Sequence, residues 1–247
     1  KIVDPEVEID ADYIFDCRGR SGNDYDEYNN LINPLNAVLL SRQDGRDPDL
    51  TFTKCVATKD GWTFVIPNND SVSYGYLYNN IITSKDEAAF NMHEMFNVVP
   101  DGDLTFKNYI AKSMFKGDRT ILNGNRFCFV EPLEATSTSF YRNVAGHAWE
   151  HIVDGKPKFA CDTDVIKYMK QLETFLLWHY QFGSKYDTPF WDYAKSLAFE
   201  PDVDFIKYHE AAVQMDYPML NSKAFAGQEY GIWPRVSFKQ WHDGVDI

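Results

Sequence analysis

No two glycines of this 247-residue chain stand two residues apart. It therefore carries no G-x-G-x-x-G turn, the device that lays a dinucleotide pyrophosphate against a helix N-terminus. Basic residues are also scarce: 24 Lys and Arg against 37 Asp and Glu give a formal net charge of −13. A general nucleic-acid binder needs a basic face, and so does a protein drawn to anionic lipid, so neither partner is expected. No apolar run is long enough to span a membrane. The four cysteines, Cys17, Cys55, Cys128 and Cys161, form no C-x-x-C pair. Free thiols in a reducing cytoplasm are the default reading, ahead of a disulfide or a metal site. The chain opens at Lys1 without the basic–apolar–small pattern of a signal peptide. There is no internal repeat and no low-complexity segment.

What is present is ample for a core, with 44% hydrophobic and 25% charged residues. The stretch Phe127-Cys128-Phe129-Val130-Glu131-Pro132-Leu133-Glu134-Ala135-Thr136-Ser137-Thr138 stands out. A short apolar run ends in Glu-Pro, and a second carboxylate and a hydroxyl cluster follow. This reads as a buried strand, a tight turn and a helix N-terminus, whose unpaired N–H groups suit an anion. Thr136 or Ser137 is the expected N-cap. The plainer alternative is an ordinary capped strand-to-helix connection.

Upstream, Ala11 to Gly19 reads as a strand ending in a turn, and residues 21–36 as a polar surface loop. Thr51 to Ile82 reads as an antiparallel meander with a hairpin at Asp60-Gly61 and a second turn at Asn68-Asn69-Asp70. Ser84-Lys85-Asp86-Glu87 is a capping box for a helix over Asp86 to Met95. Between Thr163 and Trp191, Val165, Met169, Leu172, Leu176 and His179 fall at helical spacing. That makes His179 a structural histidine on an apolar stripe. His147-Ala148-Trp149-Glu150-His151 is an H-x-x-E-H string. Either it sits on a surface helix, or it is the two-histidine face of a zinc hydrolase.

Four of these stretches resemble, in order, signatures of the flavin-dependent halogenases of the tryptophan halogenase family. Glu131-Pro132-Leu133-Glu134-Ala135-Thr136 is similar to its Glu-Pro-Leu-Glu-Ser-Thr motif. Gly61-Trp62-x-Phe64-x-Ile66-Pro67 resembles Gly-Trp-x-Trp-x-Ile-Pro, with Phe64 in place of the second tryptophan. Trp178-His179-Tyr180 with Lys185 to Trp191 resembles His-Tyr … Arg-x-Asp-x-x-Phe-Trp, with Lys185 at the arginine. Ala224 to Gln228 with Pro234 resembles the closing Gly-Gln stretch, near which Phe225, Tyr230 and Trp233 could line a pocket. Ala11 to Gly19 is similar to the segment closing the nucleotide-binding sheet of flavin monooxygenases.

The resemblance implies an α+β fold: part of an FAD-dependent monooxygenase-like α/β architecture, with an antiparallel sheet followed by a mostly helical C-terminal half. It implies the end of an FAD-binding sheet at 1–30 and an antiparallel-sheet substrate domain at 31–120. A return to the FAD domain with the halide-site helix follows at 121–150, then a helical substrate-pocket region at 151–247. The implied activity is halogenation of an electron-rich, indole- or tryptophan-like aromatic by hypohalous acid made from reduced FAD, oxygen and halide. A separate flavin reductase would be the partner; oligomeric state is left open, a homodimer being one option. Carried over by position, Glu134 is the catalytic carboxylate, and the N–H groups of Thr136 and Ser137 hold halide. Thr138, Asn125 and Gly124 contact the cofactor; Trp62, Phe64, Ile66 and Pro67 lie on the substrate side. The family's lysine maps to no residue here, so a C-terminal portion of a longer protein is expected. A flavin hydroxylase on the same fold and a non-catalytic aromatic binder are the alternatives.

Overall fold

The computed structural model describes residues 10–20, 25–45, 47–220 and 229–244. The chain divides into two compact units: Lys1–Leu31 with Asn108–Lys170, and Ile32–Lys107 with Gln171–Ile247. Each is discontinuous in sequence.

The first unit opens with β1 (Ile14–Asp16) and β2 (Tyr28–Asn30). The latter lies in the segment expected to be a surface loop, of which residues 21–24 lie outside the described residues. Tyr28 is the reason for the difference: its ring is buried and its hydroxyl donates to the Arg126 carbonyl at 2.6 Å. A buried phenol with a satisfied hydroxyl outweighs polar neighbours in the chain.

The second unit then supplies β3 (Ala37–Asp44), β4 (Lys54–Thr58), β5 (Gly61–Pro67), β6 (Ser71–Tyr78), α1 (Lys85–Phe96) and β7 (Gly102–Thr105). The strands form one antiparallel sheet ordered β4-β5-β6-β3-β7. The expected meander is β4 to β6, but its first strand begins at Lys54, leaving Phe52 exposed. On one face Ala37, Leu39, Tyr76 and Tyr78 pack with Ala88 and Met92 of α1 and with Val98. Ser84 caps α1, its hydroxyl accepting from the Glu87 N–H at 3.3 Å, the first of the two bonds of the expected capping box.

Returning to the first unit, the chain forms β8 (Tyr109–Ala111), β9 (Phe115–Lys116), β10 (Thr120–Leu122), β11 (Cys128–Phe129), α2 (Ser137–Asp154) and α3 (Lys158–Phe182). Strand β10 pairs parallel with β1 and antiparallel with β9; β8 lies between β11 and β2. Helix α3 contains the division at 170/171. Val165, Met169, Leu172 and Leu176 are buried along it, as their spacing implied. His179 is half-buried with Nδ1 2.8 Å from the Phe175 carbonyl, a structural role.

The second unit closes with α4 (Pro189–Ser196), α5 (Val203–Gln214), α6 (Tyr217–Leu220), β12 (Glu229–Tyr230), β13 (Trp233–Pro234) and α7 (Arg235–Gly244). Phe175 stacks on Trp233 and Trp178 on Trp241, each pair with centroids 3.8 Å apart. Tyr230 and Trp233 are packed in the core of this unit, 1% and 5% exposed. Phe225, Gly227 and Gln228 lie outside the described residues. The segments read as 1–30 and 121–150 fall in the first unit. Residues 108–120 join them there, and 151–247 is divided within α3. No helix among the described residues is long and apolar enough to cross a membrane.

Candidate functional site

The turn between β11 and α2 is built around a buried carboxylate. Glu131 is 1% exposed; its N–H donates to Asn108 Oδ1 at 2.9 Å, and its Oε2 accepts from the Leu133 N–H at 3.2 Å. The Ala135 N–H closes the turn on the Pro132 carbonyl at 3.0 Å. Ala135 then takes φ 51°, a left-handed conformation that costs a residue with a Cβ about 1–2 kcal/mol. Thr136 follows at φ −74°, ψ −17°. A left-handed residue beside a right-handed one curls successive N–H groups toward one side, the geometry of an anion-binding nest.

Thr136 occupies the N-cap position, as expected, yet makes no side-chain cap bond; it is buried. The first-turn N–H groups of α2 thus have neither an intrahelical acceptor nor a capping hydroxyl. Phe140 anchors this turn, stacked between Phe127 at 5.9 Å and Tyr168 at 5.8 Å. Glu134 and Ser137 are half-buried, and Ala135 and Thr138 are exposed.

The second element of the first unit is the carboxyl end of the parallel pair β1 and β10, the edge at which α/β sheets bind ligands. Gly124 has φ 56°, and a Cβ there would stand 3.4 Å from the Cys17 carbonyl oxygen. Its N–H donates to Asn123 Oδ1 at 2.7 Å, while Asn123 Nδ2 reaches the Tyr141 carbonyl of α2 at 3.1 Å. Exposed Asn125 is held by two phenols: Tyr109 donates to its carbonyl at 2.7 Å and Tyr141 to its Oδ1. Desolvation by burial raises the pKa of the Tyr141 phenol. Asp16 pairs with Arg18 at 2.8 Å and with buried Arg126 at 3.4 Å. The Arg18 hydrogen bond, opposed by burial and reinforced by both arginine charges, holds the Asp16 carboxyl below its ordinary range. Asn123 and Tyr141 thus tie the turn at Gly124 and Asn125 to α2. Tyr109, Tyr141 and Asn123 were missed, since no local pattern marks them.

This edge presents an exposed amide at Asn125 and, at the start of α2, first-turn N–H groups without a side-chain cap. It holds no pyrophosphate cradle, since the glycine spacing is missing.

In the second unit, Trp62, Phe64 and Ile66 share one face of β5, whereas Pro67 has the opposite parity. Trp62 is 3% exposed and its indole N–H donates to the Tyr180 hydroxyl at 3.1 Å. Its ring lies 6.1 Å from that of Phe64. Phe64 is half-buried and lies flat over Gly75, its cross-strand partner; a Cβ on Gly75 would meet its Cζ at 2.0 Å. Ile66 is 36% exposed.

The H-x-x-E-H string lies in α2, where Lys156 occupies the space a cation would need. Its ammonium contacts Glu150, sits 3.3 Å from His147 Nδ1 and pairs with Asp164 at 2.8 Å. His151 Nδ1 is 2.7 Å from the Lys156 carbonyl. Those two acidic partners push the Lys156 pKa up, so the site is held by a permanent positive charge. Among the described residues no group of three metal-ligating side chains comes together. None of the four cysteines is in a disulfide.

The tryptophan halogenase family profile matches residues 3–239. Tryptophan 7-halogenase RebH of Lentzea aerocolonigenes is 28% identical over 217 residues, 76% of this chain and 39% of that protein. Tryptophan 6-halogenase ThaL of Streptomyces albogriseolus is 24% identical over 207 residues, 80% of this chain and 39% of its own length. The solved tryptophan halogenase of Shewanella frigidimarina superimposes with a TM-score of 0.75 at 16% identity, covering 98% of this chain and 49% of that one. The chain spans 39% of the length of these curated relatives.

Proposed function

The chain belongs to the tryptophan halogenase family, and on that premise we propose that it forms part of a flavin-dependent halogenase acting on an electron-rich, indole-like aromatic. The observation that carries this is the uncapped turn at Ala135 and Thr136. A left-handed residue, a right-handed residue and a bare helix N-terminus follow the Glu-Pro-Leu-Glu motif. Such N–H donors hold a halide by partial charge and leave it free to react, where a full counter-charge would trap it.

In this reading the Thr136 and Ser137 N–H groups hold chloride or bromide. Gly124 and Asn125 offer the flavin ring a close backbone and an amide, and Thr138 adds a contact from α2. The tie from Tyr141 to Asn125 keeps that amide fixed relative to the helix. Bound reduced flavin supplies, with oxygen, the oxidising equivalent that converts halide to hypohalous acid. In this reading half-buried Glu134 accepts the proton that the aromatic carbon loses as the new carbon–halogen bond forms, and the hydroxide released from hypohalous acid takes up that proton and leaves as water. Trp62, Phe64 and Ile66 supply an apolar wall that suits a planar substrate and the exclusion of water. A separate reductase would deliver the reduced flavin, in the cytoplasm.

The test uses the complete protein with FAD, a flavin reductase, NADH, oxygen and bromide or chloride. Products from a panel of indoles and phenols are read by mass spectrometry. A halogen isotope pattern that disappears in Glu134→Gln is the expected result. Hydroxylated product would overturn the proposal in favour of a monooxygenase, and tight FAD binding without product would make the chain part of an aromatic-binding protein.

A further inference from the structure

Trp62 opens β5 directly after a turn, a position where a side chain is ordinarily free to wander. Here the turn is tied on several sides, all within the second unit. Gly61 has φ 151°, and a Cβ there would stand 2.4 Å from the Leu77 carbonyl oxygen. Asp60 is 5% exposed; its carboxylate accepts from the Tyr76 hydroxyl, from Thr83 Oγ1 at 2.9 Å and from Asn91 Nδ2 at 2.7 Å. The two carbonyls before it are also taken. Thr58 accepts from the Trp191 indole at 2.7 Å, and Lys59 from the Thr188 hydroxyl at 2.7 Å. The Trp62 indole donates to Tyr180 on α3, whose ring lies 6.2 Å from that of Trp191.

Tyr180, Thr188 and Trp191 come from one stretch of sequence, which reads on its own as a helix, a loop and another helix. All three direct their polar atoms at the hairpin that carries Trp62. We propose that Tyr180, Thr188 and Trp191 are positioning residues that fix the plane of the Trp62 indole through the hairpin before it. Tyr180 acts on the indole N–H itself. Thr188 and Trp191 act on the turn backbone, and the Asp60 bonds hold that turn from its other side. Packing alone leaves a ring several rotamers, whereas a buried donor with one acceptor selects one. The inference rests on the halogenase reading only in supposing that the Trp62 plane matters for substrate.

Tyr180→Phe removes one oxygen and keeps the ring. In the full-length protein labelled with 15N at tryptophan, the Trp62 indole N–H resonance is expected to move, and its hydrogen exchange to quicken on the order of tenfold. Thr188→Val, which removes only a hydroxyl from the half-exposed end of the clamp, is expected to shift the same resonance less. If the complete protein halogenates an indole, Tyr180→Phe lowers kcat with little change in KM, and that loss vanishes in a Trp62→Phe background, because the partner is gone. An unmoved Trp62 resonance in Tyr180→Phe, or an equal kcat loss in both backgrounds, overturns the proposal. A protein that turns nothing over but shows the resonance shift keeps the clamp and loses the halogenase reading.

Discussion

Replacing Gly75 by alanine should dislodge the Phe64 ring. A methyl at Gly75 would stand 2.0, 2.2 and 2.7 Å from Phe64 Cζ, Cε1 and Cε2, where a carbon contact needs more than 3 Å. The backbone offers no relief, since Gly75 is paired with Phe64 on one side and Leu40 on the other. Phe64 is half-buried, so its ring can swing toward solvent, at a cost of about 1–3 kcal/mol as for other overpacked sites. Alanine returns about 0.4–1 kcal/mol by restricting the unfolded chain. The net destabilisation is about 0–2.6 kcal/mol, a fall in Tm of up to about 10 °C for a chain of this size. Calorimetry of Gly75→Ala, Phe64→Ala and the double variant separates the causes. If the ring is the obstacle, Gly75→Ala costs little once Phe64 is alanine, and the pair shows a coupling of about 1 kcal/mol or more. Strict additivity in the double variant would refute the argument.

Ala135→Gly should stabilise by about 0.5–1 kcal/mol. Relief of the left-handed strain exceeds the added freedom of the unfolded chain; a lowered Tm would show that Ala135 is not strained. For His209, burial and then the His242 imidazole 3.4 Å away hold the pKa below its ordinary 6.5. The unfolded chain therefore takes up this proton first. Stability is full above about pH 6.5 and declines as pH falls through and below that value. A Tm profile from pH 8 to pH 5 checks this, and His209→Gln should flatten the acid side of the curve.

Local signals were the legible ones. The Ser84 cap, the Asp60-Gly61 hairpin and the helical stripe through Val165 and Leu176 each fit inside one element and could be read directly. The Glu131 to Thr138 turn was readable as a turn, but not its left-handed alanine. Nothing in Glu134-Ala135-Thr136 marks that residue; the Pro132 turn behind it and the Phe140 stack ahead impose the conformation. Three-residue strands such as β2 and β10 carry too little alternation to be seen, and their partners lie far along the chain. The phenols on Asn125 and the hydroxyl on Trp62 were hidden for the same reason. A tyrosine whose oxygen serves one distant residue looks in sequence like any other tyrosine.

The pairing of β1 with β10 bears on the order in which the protein assembles. Ile14 must find Thr120, and closing so long a flexible loop costs entropy that grows with its logarithm. The intervening segment, however, ties its own ends: Phe106 donates to the Asn36 carbonyl at 2.9 Å, beside the ladder of β3 with β7. Once that sheet exists, only the two short flanks remain to be closed, roughly a third of the original loop, which lowers the closure cost by about 1 kcal/mol. The sheet bearing Trp62 thus shortens the loop that the pairing of β1 with β10 has to close.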